Sequence, residues 1–188
     1  MAALMAALVA AALAQVGDRP AWLAAILADR YRAPGLVIAM AALALLGAGL
    51  LAAAAGALLA PQLTPEAKQL FLALALLFQG GGALFAVKPP DPLSGWRIGA
   101  AATSLTGLFI LAFGDGVQFV VLALATRADL PWLAALGAML GSLVVIVPAA
   151  VLGNAGWTAL PLASLRRIIA ALFVVAALWL GLGAFRLI

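Results

Sequence analysis

A glycine–aspartate pair occurs twice in this chain, each time inside a long apolar stretch. The first copy is Gly17-Asp18, and the second, 97 residues later, is Gly114-Asp115. The same offset relates three further pairs, namely Arg30 and Arg127, Pro34 and Pro131, and Gly56 and Gly153. A carboxylate surrounded by hydrocarbon is costly and usually has a function. The duplicated pair therefore predicts two copies of one unit that share a central site.

The apolar stretches are too long and too numerous for a soluble domain. Hydrophobic residues make up 68% of the chain and charged residues 9%, and several runs approach the roughly 20 residues that cross a bilayer. We therefore expect an all-α polytopic membrane protein embedded in the lipid bilayer. The net charge of +4 indicates no nucleic-acid partner, because basic residues in loops on one side of a membrane account for it.

The chain contains neither cysteine nor histidine. Thiolate chemistry, zinc-type sites and histidine acid/base catalysis are therefore excluded, and no serine or threonine is accompanied by an evident base, so an enzyme is not expected. Residues 1–14 end in Ala12-Leu13-Ala14, which resembles a secretory cleavage site, but no basic segment precedes them. We expect this segment to remain as the first membrane helix.

Six transmembrane helices are predicted, near 2–28, 35–59, 67–86, 99–126, 132–153 and 165–185. A proline-rich segment, 87–98, would link a first three-helix repeat, 1–86, to a second, 99–188. Because three is odd, the second copy must enter the bilayer in the opposite direction. Inverted repeats of this kind place the binding site of many secondary transporters near the midplane, where the halves meet.

The basic residues predict the orientation. One side of the membrane would collect Arg30, Arg32, Lys88, Arg97, Arg166 and Arg167, and the other Lys68, Arg127 and Arg186. The positive-inside rule makes the first set cytoplasmic, which places both termini in the periplasm and makes Arg166 and Arg167 topology signals. A small, alanine-rich chain without a targeting extension is typical of a bacterial inner (plasma) membrane.

The two repeated segments carry a recognisable motif. They read Gln15-Val16-Gly17-Asp18-Arg19-Pro20 and Ala112-Phe113-Gly114-Asp115-Gly116-Val117-Gln118. In these segments the chain resembles the GDT1 family of cation transporters, whose members carry Glu-x-Gly-Asp-(Lys/Arg)-(Thr/Ser) once in each inverted three-helix half. The resemblance covers most of the chain, and Gln118 matches a glutamine that often follows the family's second motif.

This resemblance implies transport of Mn²⁺ or Ca²⁺ in exchange for protons, with the motif acids forming the cation site. Hard divalent cations select oxygen ligands, and carboxylates within a membrane can exchange a metal for protons. The cation-binding residues would be Asp18 and Asp115, which are also the metal ligands, together with Gln15 and Gln118. Gly17, Gly114 and Arg19 would support them. No tightly bound cofactor is expected, and the chain is compatible with a homo-oligomer.

The chain departs from the family motif at four positions. Gln15 and Ala112 replace the two glutamates, and Pro20 and Val117 replace the two hydroxyl residues. The remaining pair of carboxylates, with neighbouring Thr103, Ser104 or Thr106, has less negative charge for a divalent ion and equally suits a monovalent cation or a proton.

Two alternatives to a transport site follow from these losses. Arg19 could form a structural ion pair with Asp18, or with Asp115 across the two halves. The protein would then be a transport-inactive relative that serves as a membrane scaffold or subunit. Gly17 and Gly114 could likewise serve helix packing, or they could mark a local helix break that frees carbonyl groups for a cation.

Overall fold

The computed structural model describes residues 1–185, which fold as eight α-helices without a β-strand. Their bounds are α1 Ala2–Ala14, α2 Arg19–Tyr31, α3 Pro34–Leu59, α4 Pro65–Leu84, α5 Ala100–Phe113, α6 Gly116–Ala125, α7 Trp132–Thr158 and α8 Leu162–Ala184. A single 3₁₀ turn, Ala60–Gln62, follows α3. The all-helical fold is therefore confirmed. Arg186, which entered the comparison of basic residues, lies outside the described part of the chain.

Four helices, α3, α4, α7 and α8, are each long and apolar enough to cross a membrane. The others form two bent pairs, with 67° between α1 and α2 and 68° between α5 and α6. Counting each pair as one span gives six, the number predicted. The spans predicted near 2–28 and 99–126 are each broken at the glycine–aspartate pair, where the sequence left open a local helix break.

The breaks have a local cause in the backbone. Gly17 has φ +70°, a left-handed conformation that ends α1, and Asp18 and Asp115 follow with extended backbone as the N-cap residues of α2 and α6. Aspartate is a favoured N-cap, and Pro20 in the first turn of α2 is favoured there because it has no N–H to satisfy. The motif that carries the carboxylates therefore also starts the second helix of each pair.

Helix packing relates the two halves to each other. α1 and α2 pack on α7, and their equivalents α5 and α6 pack on α3. Likewise α2 contacts α5, and α6 contacts α1, while α3 packs on α7 and α4 on α8. These contacts between the halves therefore recur with the roles of the halves exchanged, whereas the packing of α4 on α6 has no counterpart of similar extent between α8 and α2.

Small residues allow these helices to approach closely, as is common in membranes. Gly137 and Gly141 of α7 lie against the backbone of α1, and a Cβ atom on either would meet the carbonyl oxygen of Leu4 or Leu8. In α4, a Cβ on Gly80 would lie 3.0 Å from the carbonyl oxygen of Ala170. In the α1–α7 and α4–α8 pairs the helix backbones therefore approach each other closely.

Near its end, α7 is interrupted at Gly153, which has φ +70° and ψ 178°. The carboxylate of Asp29 accepts a hydrogen bond of 2.7 Å from the backbone N–H of Asn154, the first residue after the interruption. The indole N–H of Trp22 donates to the Asn154 side chain at 2.8 Å. These bonds attach both the first turn and the last turn of α2 to the bend in α7.

The segment between the halves is irregular but anchored. The guanidinium of Arg30 donates hydrogen bonds to the carbonyl oxygens of Pro92, Leu93, Ser94 and Trp96, the shortest being 2.6 Å to Leu93. Arg30, counted above only as a loop charge, therefore ties the end of α2 to the linker.

Candidate cation site

The two helix breaks meet in one open pocket of about 460 Å³. Its lining comes from the ends of α1 and α5, the starts of α2 and α6, and the α4–α8 pair. Polar members of the lining are Asp18, Arg19, Gln79, Asp115 and Arg166. The pocket therefore gathers both repeated aspartates, as the sequence predicted for residues at equivalent positions.

The carboxyl groups of Asp18 and Asp115 line the same pocket, close enough for their charges to interact. Both side chains are partly buried. Gln15, which is fully buried, donates from Nε2 to a carboxylate oxygen of Asp115 at 3.2 Å. Its Oε1 atom is buried and has no partner among the described residues. A buried oxygen without a donor beside two carboxylates is an arrangement that a bound cation or proton would satisfy.

The four helix ends at the pocket contribute the partial charges of their backbone N–H and C=O groups. α2 and α6 begin there, so their N-terminal N–H groups favour the negative charges of Asp18 and Asp115. α1 and α5 end there, and the unpaired carbonyl groups of a helix C-terminus favour a cation. The broken helices thus bring two helix N-termini and two helix C-termini to the pocket that holds the carboxylates.

Arg166 also enters this pocket, which the sequence did not predict. Its guanidinium lies 3.8 Å from a carboxylate oxygen of Asp18 and donates a 2.9 Å hydrogen bond to the carbonyl oxygen of Gly17. It also donates to the carbonyl oxygens of Gly82, Ala83 and Phe85 at the end of α4. Its interpretation as a topology signal therefore missed a contact with the site. The only available signal was a charged residue several positions inside the last apolar run.

Arg19 does not form either of the ion pairs considered for it. Its side chain is exposed at the pocket, and among residues 1–185 no carboxylate lies within ion-pair distance of it. The carboxylate of Asp18 instead accepts a 2.8 Å hydrogen bond from the backbone N–H of Arg19. The motif arginine thus contributes its backbone to the site, while Arg166 supplies the guanidinium.

Two further glutamines lie in different places. Gln79 lines the pocket, and its side-chain amide occupies the space that a Cβ on Gly116 would need. Gln118 lines a separate apolar groove between α3 and α6, where its buried Oε1 has no partner in the described chain. Gln118 is therefore not brought together with the two aspartates in this structure.

The two glycines of the motif differ in conformation. Gly17 is left-handed, and a Cβ there would lie 3.0 Å from Cδ of Arg166. Gly114 has φ −92°, which any residue adopts, and a Cβ there would have only the Ile110 carbonyl oxygen within 4 Å, at 3.9 Å. Gly17 is therefore required by both backbone and packing, and Gly114 by neither.

The donor set is made of oxygen atoms and is modest in charge. Among residues 1–185 no group of three or more acidic, histidine or cysteine residues could hold a metal ion. Two carboxylates, a glutamine oxygen and helix-end carbonyls suit a hard cation that is bound reversibly. Arg166 cancels part of the negative charge, which disfavours permanent retention of a metal.

The sequence of the chain is similar to those of known proteins. The family model described as "Divalent cation/proton antiporter GDT1" matches residues 3–90 and again residues 100–187. A protein of Vibrio cholerae serotype O1 (strain ATCC 39541 / Classical Ogawa 395 / O395), named "Putative manganese exporter", is 33% identical over 184 residues, which cover 95% of this chain and 90% of that protein. No solved structure matches the chain.

Proposed function

Because the chain belongs to the GDT1 family of divalent cation/proton antiporters and is a membrane-embedded cation transporter, we propose that it exports Mn²⁺ in exchange for protons. The ion passes through the pocket between the two broken helices. Asp18 and Asp115 bind the transported ion directly. Gln15 positions Asp115 and contributes its free amide oxygen.

One observation carries the proposal. Two carboxylates from equivalent positions of the two halves face each other in an open pocket, beside a buried amide oxygen that lacks a partner. Two neighbouring carboxylates repel each other unless a metal or a proton lies between them. Metal and protons therefore compete for the same two groups, and this competition is the chemical basis of antiport.

The choice of Mn²⁺ draws on the name of the Vibrio cholerae relative and on the ligand types. An oxygen-only site accepts Mn²⁺, Ca²⁺ or Mg²⁺. An amide oxygen and two carboxylates give less charge than a Ca²⁺ site usually has. Mn²⁺ is the ion to test first, with Ca²⁺ and Mg²⁺ as competitors.

The proposal includes the arrangement in the membrane. Residues 1–86 and 99–188 would be inverted copies, with the linker 87–98 in the cytoplasm and both termini in the periplasm of a bacterial inner membrane. The exchanged helix contacts support two copies related by a two-fold axis. A homo-oligomer stays a prediction from the sequence. The alternative of a transport-inactive scaffold is not favoured by the family membership or by the open pocket.

The test is Mn²⁺ flux in proteoliposomes that contain a trapped fluorescent Mn²⁺ indicator and carry an imposed pH gradient. Asp18→Asn and Asp115→Asn remove one ligand charge each and should reduce flux to the level of empty liposomes. Asp91→Asn is the matched control, because Asp91 is exposed in the linker and accepts a hydrogen bond from the N–H of Leu93 that asparagine can also accept. Wild-type flux through both site variants would remove the assignment.

A further inference from the structure

We propose that Arg166 is a tethered counter-cation, which neutralises Asp18 while the site holds no metal and must leave that carboxylate when a divalent ion binds. This inference rests on the proposed function of the pocket. It makes Arg166 a determinant of metal affinity, although it is not itself a ligand.

The contact with Asp18 is loose, whereas the contacts with the backbone are many. At 3.8 Å from the carboxylate oxygen, the guanidinium is beyond hydrogen-bond distance. It is held instead by the Gly17 carbonyl at 2.9 Å and by three carbonyl oxygens at the end of α4, between 3.3 and 3.5 Å. Arg166 can therefore withdraw from Asp18 without losing the α4 carbonyls as partners.

The charges at the site show why the Arg166 guanidinium must withdraw from Asp18 when a metal binds. Asp18 and Asp115 supply two negative charges, and Arg166 supplies one positive charge beside them. A divalent ion neutralises the pair of carboxylates by itself, so a guanidinium that stayed in place would face the metal as an unbalanced like charge. In a water-poor setting that repulsion is only weakly screened. Metal and guanidinium therefore exclude one another at Asp18.

The equivalent position of the other half separates the charge of Arg166 from its packing role. Gln69 of α4 lies 97 residues earlier, and its Nε2 donates a 3.0 Å hydrogen bond to the carbonyl oxygen of Leu180 in α8. Leu180 is the equivalent of Ala83, whose carbonyl oxygen accepts from Arg166. The bond from a long side chain to the opposing helix is thus present in both halves. Position 166 adds the positive charge and the bond to the Gly17 carbonyl at the site.

This comparison supplies the variant for the test. Arg166→Gln puts the residue of the equivalent position there, so it retains an amide donor for the α4 carbonyls and removes the charge. Arg166→Met is a second neutral variant of similar length, and Arg166→Lys retains the charge with fewer donors. Arg167→Gln is the matched control, because Arg167 is exposed and, among residues 1–185, its guanidinium donates only to the Ala163 carbonyl in its own helix.

The measurement is the affinity of each purified variant for Mn²⁺, by calorimetric titration in detergent, with the thermal unfolding midpoint recorded in parallel. Removing one unit charge beside the ion should tighten Mn²⁺ binding by about tenfold or more in Arg166→Gln and Arg166→Met. Arg166→Lys and Arg167→Gln should bind as the wild type does. In the Asp18→Asn background, Arg166→Gln should change the affinity much less, because the carboxylate for which the two cations compete has been removed.

The possible outcomes separate the inference from the proposed function. If the wild type does not bind Mn²⁺, the proposed function fails and the inference fails with it. If the wild type binds and a folded neutral variant binds no more tightly, Arg166 is structural and only the inference is overturned. Tighter binding in Arg166→Lys would likewise overturn it, since the gain would then not come from loss of charge. Should Arg166→Gln not fold, Arg166→Met decides the question.

Discussion

At the scale of single residues, Asp18 and Asp115 occupy equivalent positions but have different neighbours. Asp18 faces the Arg166 guanidinium and the backbone N–H of Arg19, whereas Asp115 faces the neutral amide of Gln15. One carboxylate therefore has a resident positive charge and the other does not. Of the two carboxylates, Asp115 therefore offers an incoming cation the less neutralised negative charge.

A substitution at Gly17 should show how far the site depends on one backbone conformation. Gly17→Ala requires a left-handed alanine and places a Cβ 3.0 Å from Cδ of Arg166, which together should cost about 1–3 kcal/mol of unfolding free energy. Gly114→Ala, at the equivalent position with ordinary backbone, should be nearly neutral. Thermal unfolding in detergent measures both, and equal losses for the two variants would contradict this explanation.

Sequence reasoning found the two aspartates because a charge in an apolar run is rare and a repeated one is rarer. It also assigned Gln15 to the site, but it placed Gln118 there although that side chain faces a different groove. The sequence did not predict Arg166 as a site residue, because the carbonyl groups that it contacts lie 84 and 149 positions away in the chain. Contacts over such distances depend on how helices pack, which apolar periodicity does not specify.

At the scale of helices, the structure contains two kinds of helix interruption with different roles. The breaks at the glycine–aspartate pairs create the site, whereas the bend of α7 at Gly153 lies at the end of α2 and is stabilised by Asp29. Asp29 and Asp18 lie on the same short helix α2, at opposite ends. The position of the first carboxylate is therefore connected to α7 through α2.

The Asp29 contact is a helix cap formed between two helices, and it can be tested as one. Asp29→Ala should lower the unfolding free energy by about 1 kcal/mol, because the N–H of Asn154 loses its acceptor. Asp29→Asn keeps an oxygen acceptor at the same place and should retain most of the wild-type stability. Chemical or thermal unfolding distinguishes the two; a loss in Asp29→Asn as large as in Asp29→Ala would show that charge and not capping matters.

Apolar run length predicted the number of membrane crossings but not their shape. The stretches 2–28 and 99–126 are apolar across their breaks, so hydropathy alone joins α1 to α2 and α5 to α6. The glycine and aspartate do mark the places where the chain bends. Whether such a pair kinks a helix or breaks it by 67° depends on what packs into the gap, here Arg166 and α8.

At the scale of the whole molecule, exchanged contacts relate the halves, and the loops at the two ends remain distinguishable. The end of α3, the start of α4 and the ends of α6 and α8 gather around one cavity. Met1 lies beside the α6–α7 loop that lines that cavity. The linker, by contrast, is bound by Arg30 at the end of α2. These groupings are consistent with the orientation proposed for the two halves.

The absence of native cysteine allows the inversion to be tested with single introduced thiols. Gln62 and Ala159 are equivalent residues of the two halves, and both are exposed. With inverted halves, Gln62→Cys should react with a membrane-impermeant maleimide from the periplasmic side and Ala159→Cys from the cytoplasmic side. Labelling of both from the same side would mean that the copies are parallel, and would remove the two-fold relation from the proposed mechanism.

The division of the two carboxylates between the halves bears on the ancestry of the chain. A progenitor half as long would have carried one aspartate, so it could have built this site only by pairing with a second copy of itself. In such a pair every position is duplicated, and an arginine at one site is an arginine at both. The difference between Arg166 and Gln69 could arise only once the two copies were encoded separately, which allowed the two sides of the site to diverge.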